Sequence, residues 1–366
     1  MCTGGYVKIG AYYYPGWHAC PVRDAAFPAG WSEWDLLEGV TPRFALHRQP
    51  LRPLWGREDE SMPSVFAGKI AAARQHGIDF FTFAFYWSRG KQLLQGALER
   101  GFLPAVQGSP FRFALMWANR MPRKVMPVKD PQAALIDPQR LVYTDPEDFL
   151  EFIQHVGEHY FVHPCYLRID DAAYLSIFDT TFFLRQLGHE RVRQAIADAR
   201  AWLAANSLGP LHLAAIDPVP QDRPLLRSLG FDSVTHYVLL PEWKGDWLQD
   251  YATAAALRAE QWRSYARESG LPYCPSVSPG WDATPRSTEF GREKPRQYPW
   301  WPIVTGGTPD LFRNTLRQAL KYACSHSSPC CHIASWNEWT EGHYLEPDSK
   351  FGYAWLEAVR EARHGL

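Results

Sequence analysis

Short apolar runs alternate with amphipathic segments along most of the chain. The runs are rich in aromatic and β-branched residues and carry few charges, which is typical of strands buried on both faces of a parallel sheet. The eight runs are Val7–Tyr14, Ile78–Trp87, Phe111–Trp117, Ala173–Phe178, Leu211–Ile216, Ser233–Leu240, Tyr273–Val277 and Cys331–Trp336. We expect each of them to form a β-strand.

Segments with a helical spacing of apolar residues separate these runs. Asp145 and Thr308 each precede a proline, a pairing that is typical of helix starts. The predicted helices are Ser64–His76, one beginning at Pro146, Arg191–Ala205, Gln221–Leu229, Tyr251–Ser269, one beginning at Pro309, and Tyr353–Arg363. This α/β alternation predicts a single (β/α)8 TIM barrel over residues 1–366, with a doubly wound open sheet as the alternative.

The connections between these elements differ greatly in length. The long ones follow the first, third and seventh strands and span Pro15–Arg57, Ala118–Thr144 and Ser278–Gly307. Each lies between a strand and the next helix, on the face where barrel enzymes carry their active sites. Because they are rich in Pro, Trp and Gly, we expect ordered loops that form part of a site.

Composition narrows the class of ligand. The 366 residues include 38 Lys and Arg against 39 Asp and Glu, a formal net charge of −1 that argues against nucleic-acid binding. No run approaches the ~18 apolar residues of a membrane span, so no membrane partner is expected. The chain holds 16 Trp, 17 Tyr and 20 Phe, and such rings accumulate both in cores and in sugar-binding clefts.

The first residues and the cysteines bear on the compartment. No basic segment followed by an apolar stretch begins the sequence, so we predict a cytoplasmic protein. The seven cysteines form no CxxC pair, which favours reduced, buried thiols over a disulfide framework or a zinc site.

The segment that ends the eighth run carries the most specific chemistry. Glu338, Glu341 and Glu346 stand there among Trp336, Asn337 and Trp339. Neighbouring rings remove water from a carboxyl and raise its pKa, which suits a general acid. A second carboxylate nearby completes the pair that glycoside cleavage needs. The alternative is a solvated rim in which these glutamates pair with Arg or Lys.

Other strand ends and the first long loop carry rings and hydrogen-bonding groups. Singly, each ring is more often a packing residue, and a lone histidine such as His236 is more often structural. Together they predict a face suited to a polyhydroxylated, neutral ligand, an oligosaccharide or polysaccharide. These candidates are Tyr12, Tyr14, Trp17, His47, Gln49, Tyr86, Trp87, Lys91, Trp117, Asn119, His236, Trp281 and Asp282.

Several competing motifs are absent from the sequence. It contains no GxGxxG opening a helix after a strand, no GxxxxGK[ST], no HExxH and no GxSxG. No spacing of carboxylates and histidines supports a metal site. We therefore expect neither a metal nor another cofactor.

The sequence resembles the WbsX-like family, which is related to glycoside hydrolase family 99. The resemblance runs in order along nearly the whole chain, which makes it more specific than any single motif. The matching stretches are Ala11–Trp17, Trp31–Trp34, His47–Pro50, Gly77–Trp87 with Gly90 and Lys91, Trp117–Asn119, Pro279–Arg286, Trp336–Gly342 and Leu345–Pro347.

The resemblance implies a (β/α)8 barrel that acts on glycans, since the hydrolase relatives are retaining endo-α-mannosidases. It implies that Glu338 acts as base towards the sugar 2-hydroxyl and that Glu341 protonates the leaving oxygen and later activates water. In those relatives the 2-hydroxyl displaces the leaving group through a 1,2-anhydro sugar. That route requires a 2-hydroxyl trans to the leaving group, as in an α-mannoside or α-rhamnoside.

The sequence departs from the family pattern after Asn119. The family often continues with Glu-Asn-Trp, whereas Arg120, Met121 and Pro122 stand here, followed by Arg123 and Lys124. The change could reflect an acidic sugar, a different neighbouring residue or lost activity. Two other functions stay open: a glycosyltransferase of polysaccharide biosynthesis, and a glycan-binding barrel without catalysis.

Overall fold

Eight parallel strands form the centre of the computed structural model, which describes residues 6–24, 27–119, 144–287 and 294–365. Strand β6 is followed in the ring by β7, β8, β1 and then β2 to β5, and all neighbours run parallel. Between β6 and β7, the Cys274 N–H donates to Val234 O at 2.8 Å, which completes the ring. The strands are β1 Lys8–Tyr13, β2 Phe80–Ser88, β3 Arg112–Trp117, β4 Ala172–Ile177, β5 Leu211–Ile216, β6 Ser233–Thr235, β7 Ser276–Val277 and β8 Cys330–Ile333.

Helices lie between the strands, so the predicted (β/α)8 barrel is confirmed. Asp145 and Thr308 cap α2 and α7 as expected, accepting the backbone N–H groups of Asp148 and Leu311. The main helices are α1 Pro63–Gln75, α2 Pro146–Val156, α3 Thr180–Leu187, α4 His189–Ala205, α5 Leu226–Leu229, α6 Tyr251–Ser269, α7 Pro309–Ser325 and α8 Ala354–His364.

Shorter elements complete the described chain. Helical turns span Pro21–Asp24, Trp34–Leu37, Ala97–Phe102, Leu103–Val106, Gly157–Phe161, Arg223–Leu225, Thr284–Arg286 and Trp339–Glu341. Antiparallel pairs join Lys91–Leu93 to β2, Arg168–Ile169 to β4, and Asn337–Glu338 to His343–Tyr344. Leu248–Asp250 pairs in parallel with Ile303–Thr305.

The interior of the barrel is filled by rings rather than by a channel. Tyr12 stacks on His332 with ring centroids 4.9 Å apart, and Phe80 meets the same imidazole edge-on at 5.7 Å. Gly10 makes room for this packing, since a Cβ there would lie 2.1 Å from the Phe80 ring. Aromatic side chains of the strands therefore fill the core of the barrel.

The cysteines follow the expectation in part. Cys20, Cys165, Cys274, Cys330 and Cys331 are free and buried, whereas Cys324 is disulfide-bonded. The expectation of reduced thiols is therefore wrong at Cys324. In the part of the chain that the structure describes, no helix has the length and apolar character needed to cross a membrane.

Candidate active site

Glu338 and Glu341 project from a tight hairpin that follows β8. Its arms are Asn337–Glu338 and His343–Tyr344, and a single helical turn, Trp339–Glu341, joins them. Ser335 Oγ accepts the Glu338 N–H at 3.0 Å and donates to His343 O at 2.9 Å, which ties the two arms together. The hairpin therefore holds both glutamates at the carboxyl end of the last barrel strand.

The guanidinium of Arg286 lies against both carboxylates. Its Nη2 is 2.6 Å from Glu338 Oε1, its Nε is 3.5 Å from Glu341 Oε1, and its Nη1 is 3.5 Å from Glu33 Oε2. Arg286 is only 2% exposed, so these charges interact with little screening by water. One buried cation therefore couples three carboxylates.

Glu338 holds its proton more tightly than an ordinary glutamate. Burial raises its pKa to about 8, and the charges of Glu341 and Glu33 add to this effect, while Arg286 opposes it. The Tyr237 hydroxyl donates to Glu338 Oε2 at 3.5 Å. Tyr86 is close enough that the charge of Glu338, after burial, raises the pKa of its hydroxyl. At neutral pH Glu338 is therefore mostly protonated.

Glu341 has the opposite tendency. Burial acts to raise its pKa, but hydrogen bonding from His343 and the charge of Arg286 outweigh it, so the pKa is lowered. His343 Nε2 lies 3.2 Å from Glu341 Oε2, and the Tyr298 hydroxyl donates to Oε1 at 2.6 Å. Trp281 stacks on His343 with centroids 5.5 Å apart. The two shifts together favour a resting state in which the pair keeps one proton, with Glu338 as its preferred site.

The two glutamates also differ in their access to solvent. The Glu341 side chain is 14% exposed and that of Glu338 is 3% exposed. Glu341 is therefore the member that a water molecule can reach more easily.

A second arginine balances the charge on the side of the first loop. The Tyr14 hydroxyl donates to Glu33 Oε1 at 2.7 Å, and Arg23 Nη2 donates to the same oxygen at 2.8 Å. With Glu338 protonated, Arg23 and Arg286 face two carboxylates, Glu33 and Glu341. The cluster is then electrically neutral, which favours the single-proton state.

Asp282 connects the long loops that follow the first and seventh strands to the glutamate hairpin. Its Oδ2 is contacted by His47 Nε2 at 2.9 Å and by Gln49 Nε2 at 2.7 Å. Burial would raise the pKa of Asp282, but the His47 contact outweighs it and the pKa is lowered. The Asp282 N–H donates to Glu341 O at 2.7 Å. Three sequence-predicted residues therefore support the backbone of the second glutamate.

The remaining candidates from the last segment lie beneath the pair. Glu346 accepts from Trp336 Nε1 at 2.9 Å, from Trp339 Nε1 at 2.6 Å and from Lys69 Nζ at 2.5 Å. The Asn337 amide bonds both backbone groups of Tyr14, at 2.9 and 2.8 Å. These four candidates hold the hairpin in place, and this placement gives no support to a sugar contact.

Three further candidates make contacts at or near the ends of strands, either with the surrounding helices or with the end of a neighbouring strand. Trp117 is fully buried and stacks on Phe152 at 5.1 Å. Trp87 donates through Nε1 to Asp148 at 3.1 Å, and the Asn119 amide bonds both backbone groups of Asp179. The ring packing of Trp117 and the hydrogen bonds of Trp87 and Asn119 are contacts within the protein itself.

Four others are also placed away from the carboxylates. Tyr12 lies inside the barrel, and Trp17 packs on Trp34 at 4.2 Å. His236 bonds the Tyr273 hydroxyl at 2.9 Å, and burial lowers its pKa to about 3. Lys91 is exposed on the short strand beside β2. Arg120, Arg123 and Lys124 lie outside the described residues.

Sequence reasoning missed residues that contact the pair directly. Arg286 ends the matching stretch Pro279–Arg286 and His343 directly follows Trp336–Gly342, yet their contacts could not be read from spacing. Glu33 belongs to the Trp31–Trp34 stretch, whereas Tyr298 carries no signal in the sequence. Among the described residues, no group of three or more His, Cys, Asp or Glu side chains is arranged to hold a metal ion.

The comparison with protein families matches residues 9–359 to the model described as "Glycosyltransferase WbsX". The chain belongs to the WbsX family. A relative from Xanthomonas campestris pv. campestris, an uncharacterised protein named WxcX, is 30% identical over 372 residues. The match covers 96% of this chain and 49% of WxcX, so this WbsX-family chain spans about half the length of the curated relatives it matches.

Solved structures with a similar fold include glycosidases. The glycoside hydrolase family 99 endo-α-mannosidase from Bacteroides thetaiotaomicron superimposes with a TM-score of 0.64 at 15% identity, covering 98% of this chain and 97% of that chain. A glycoside hydrolase-like protein gives a TM-score of 0.60 at 17% identity, with 97% and 93% covered. The fold is therefore that of the family 99 glycosidases.

Proposed function

We propose that this WbsX-family protein is a retaining glycoside hydrolase that cleaves a manno-configured α-linkage, an α-mannoside or α-rhamnoside, in a bacterial-type oligosaccharide or polysaccharide. The observation that carries the proposal is the buried pair Glu338 and Glu341, held against one guanidinium with pKa shifts in opposite directions. Titratable pairs whose environments separate their pKa values are typical of acid and base partners.

The resemblance to family 99 assigns Glu338 as base and Glu341 as acid, and the geometry supports this division in one respect. Glu341 is the more solvent-exposed member, and the same residue must later activate water. Glu338 is deeper, beside the hydroxyls of Tyr237 and Tyr86, where the 2-hydroxyl of a bound sugar would meet polar neighbours.

The reaction then proceeds in two balanced steps. Glu338 takes the proton of the 2-hydroxyl, whose oxygen attacks the anomeric carbon while the glycosidic bond breaks and Glu341 gives its proton to the leaving oxygen. A water molecule then loses a proton to Glu341 and attacks the anomeric carbon, and Glu338 returns its proton to the ring-opened 2-oxygen. Two inversions give overall retention.

The resting proton distribution is the reverse of the one this reaction needs. Both states hold one proton on the pair, but at rest it is on Glu338. Bound substrate must therefore favour the other arrangement. A 2-hydroxyl that donates to Glu338 stabilises its ionised form, and a leaving oxygen that accepts from Glu341 stabilises its protonated form.

The test uses aryl glycosides that share a leaving group and differ at carbon 2. An aryl α-mannoside and an aryl α-rhamnoside should be hydrolysed, and the α-glucoside should not, because its 2-hydroxyl lies on the wrong face. Equal hydrolysis of the mannoside and the glucoside would refute the 2-hydroxyl route. The first-formed sugar, followed by NMR, should keep the α configuration.

A second candidate function rests on the family description, which names a glycosyltransferase. A transferase would act only on an activated sugar donor, and it would need an acceptor. Incubation with nucleotide-sugar donors and with an aryl α-mannoside separates the two. Transfer from the nucleotide sugar to an acceptor, with no turnover of the aryl α-mannoside, would favour the transferase.

A further inference from the structure

A cavity of about 270 Å³ borders the hairpin that carries the two glutamates, where Tyr344 of the second arm forms part of its wall. Its walls are residues 46–52 of the first long loop, together with Tyr344 and residues 348–350 of the segment that follows the hairpin. This volume is close to the lower end of the ~300–1,000 Å³ range of ligand sites, so it suits one sugar unit better than a long chain.

The walls of the cavity carry a surplus of positive charge. Arg48, Arg52 and Lys350 are the cations, and Asp348 is the only acid among the lining residues. Arg48 Nη2 pairs with Asp348 Oδ2 at 2.6 Å, so their charges cancel. Arg52 and Lys350 are exposed, and their two charges remain.

The Asp348 carboxylate is fully engaged by the protein. Its Oδ2 also accepts from the Tyr344 hydroxyl at 2.8 Å and from Trp355 Nε1 at 3.2 Å. Its Oδ1 accepts the backbone N–H groups of Lys350 and Phe351, both at 2.7 Å. It therefore holds the loop in shape and has little capacity left to neutralise Lys350 or Arg52.

The cavity is connected to the catalytic hairpin by a short path. His47 and Gln49 form part of its wall, and both contact the Asp282 carboxylate. The Asp282 N–H in turn donates to Glu341 O at 2.7 Å. The cavity therefore shares two wall residues with the hydrogen-bond network that supports Glu341, which makes it a candidate place for a neighbouring unit of a bound glycan.

We propose that this cavity is a subsite for a sugar unit that carries a negative charge, a carboxylate or a phosphate. The inference rests on the proposed function only in taking a glycan as the ligand. Two exposed cations without a balancing acid favour an anion, and Leu46, fully exposed at the mouth, offers an apolar edge to the C–H groups of a sugar ring.

The test measures binding by isothermal titration calorimetry to the Glu341→Gln variant, which leaves the ligand intact. The ligands are α-manno-oligosaccharides, the same oligosaccharides oxidised to carboxylates at carbon 6, and the same oligosaccharides phosphorylated at carbon 6. At low ionic strength we expect at least one anionic form to bind about threefold to tenfold more tightly than the neutral form. The advantage should shrink with added salt, and comparing the two anionic arms identifies the preferred group.

A double variant and a matched control locate the effect. Arg52→Met combined with Lys350→Met should reduce the affinity for the anionic ligand to that for the neutral one. Lys321→Met, at an exposed position of α7, should leave the preference unchanged.

The proposal is overturned if neutral and anionic ligands bind with equal affinity, if neither binds, or if the preference survives the double variant. Wild-type hydrolysis of neutral aryl mannosides is measured separately. Failure of the subsite and failure of the proposed hydrolase are therefore distinguishable results.

Discussion

Glu338→Gln should stabilise the protein, and the gain should grow with pH. Burial raises the Glu338 pKa from the ordinary glutamate value of 4.5 to about 8, so the folded chain keeps this proton where the unfolded chain has lost it. Between these two values the unfolded state binds fewer protons, and stability falls as pH rises. Glutamine is neutral at every pH, so the variant escapes this loss.

The size of the effect follows from the shift. Each unit of pKa difference corresponds to ~1.4 kcal/mol, so wild type should lose that amount per pH unit once pH exceeds the unfolded value. Between pH 5 and pH 7 the variant should gain about 3 kcal/mol of stability relative to wild type, and the difference should level off above pH 8.

Urea unfolding followed by tryptophan fluorescence at pH 5, 6, 7 and 8 measures this difference through the shift in midpoint. Asp282→Asn is a matched control, because Asp282 is a buried carboxylate with a lowered pKa. The contribution of the Asp282 carboxylate to stability is present at any pH above the pKa of an unfolded aspartate and is lost only as the pH falls below it. Asp282→Asn should therefore be less stable than wild type by a constant amount from pH 5 to pH 8. A constant difference between wild type and Glu338→Gln would refute the raised pKa.

Two further changes probe the charges around the pair. Tyr298→Phe removes a hydrogen bond that lowers the Glu341 pKa, so the pKa of Glu341 should rise. The acid limb of the kcat/KM profile should then move to higher pH, while the alkaline limb near pH 8 stays in place. An unmoved acid limb would contradict the assignment of that limb to Glu341. Lys69→Met leaves Glu346 buried without its cation and should cost about 3–5 kcal/mol of unfolding free energy, against less than about 0.5 kcal/mol for the exposed control Lys321→Met. Equal urea midpoints for these two variants would show that the ion pair between Lys69 and Glu346 does not stabilise the fold.

The barrel was predictable because its strands are buried on both faces. Runs such as Leu211–Ile216 have no polar face, so their pattern differs from that of an amphipathic helix. The observed strand has the same bounds as this run. Helix α3, capped by Asp179, was missed because it follows β4 directly and is only eight residues long. Strand β6 was predicted too long, since the chain leaves the sheet after Thr235.

The site was predictable only in part. The two glutamates follow the last strand closely, so their place at the end of the barrel could be read from order along the chain. The contact between Arg286 and Glu338 joins residues 52 positions apart, and no local pattern predicts it. Rings at strand ends were also ambiguous, because Trp117 and Trp281 look alike in sequence although one packs on a helix and the other on His343.

The family description names a glycosyltransferase, whereas the function that we propose is hydrolysis. For either activity we propose that the same pair of carboxylates assists departure of the leaving group at an anomeric carbon. The distinction depends on whether water or a sugar hydroxyl accepts the glycosyl group, so it has to be decided with substrates.

The dependence of the rate on the leaving group tests the separate roles of Glu338 and Glu341. Aryl α-mannosides with phenolate leaving groups of increasing acidity should be offered to wild type, Glu338→Gln and Glu341→Gln, and kcat/KM measured for each. We predict that Glu341→Gln is impaired with poor leaving groups and partly rescued by dinitrophenolate, whereas Glu338→Gln stays low with all of them. Rescue of Glu338→Gln instead would contradict the account and would make the protonated, high-pKa glutamate the acid.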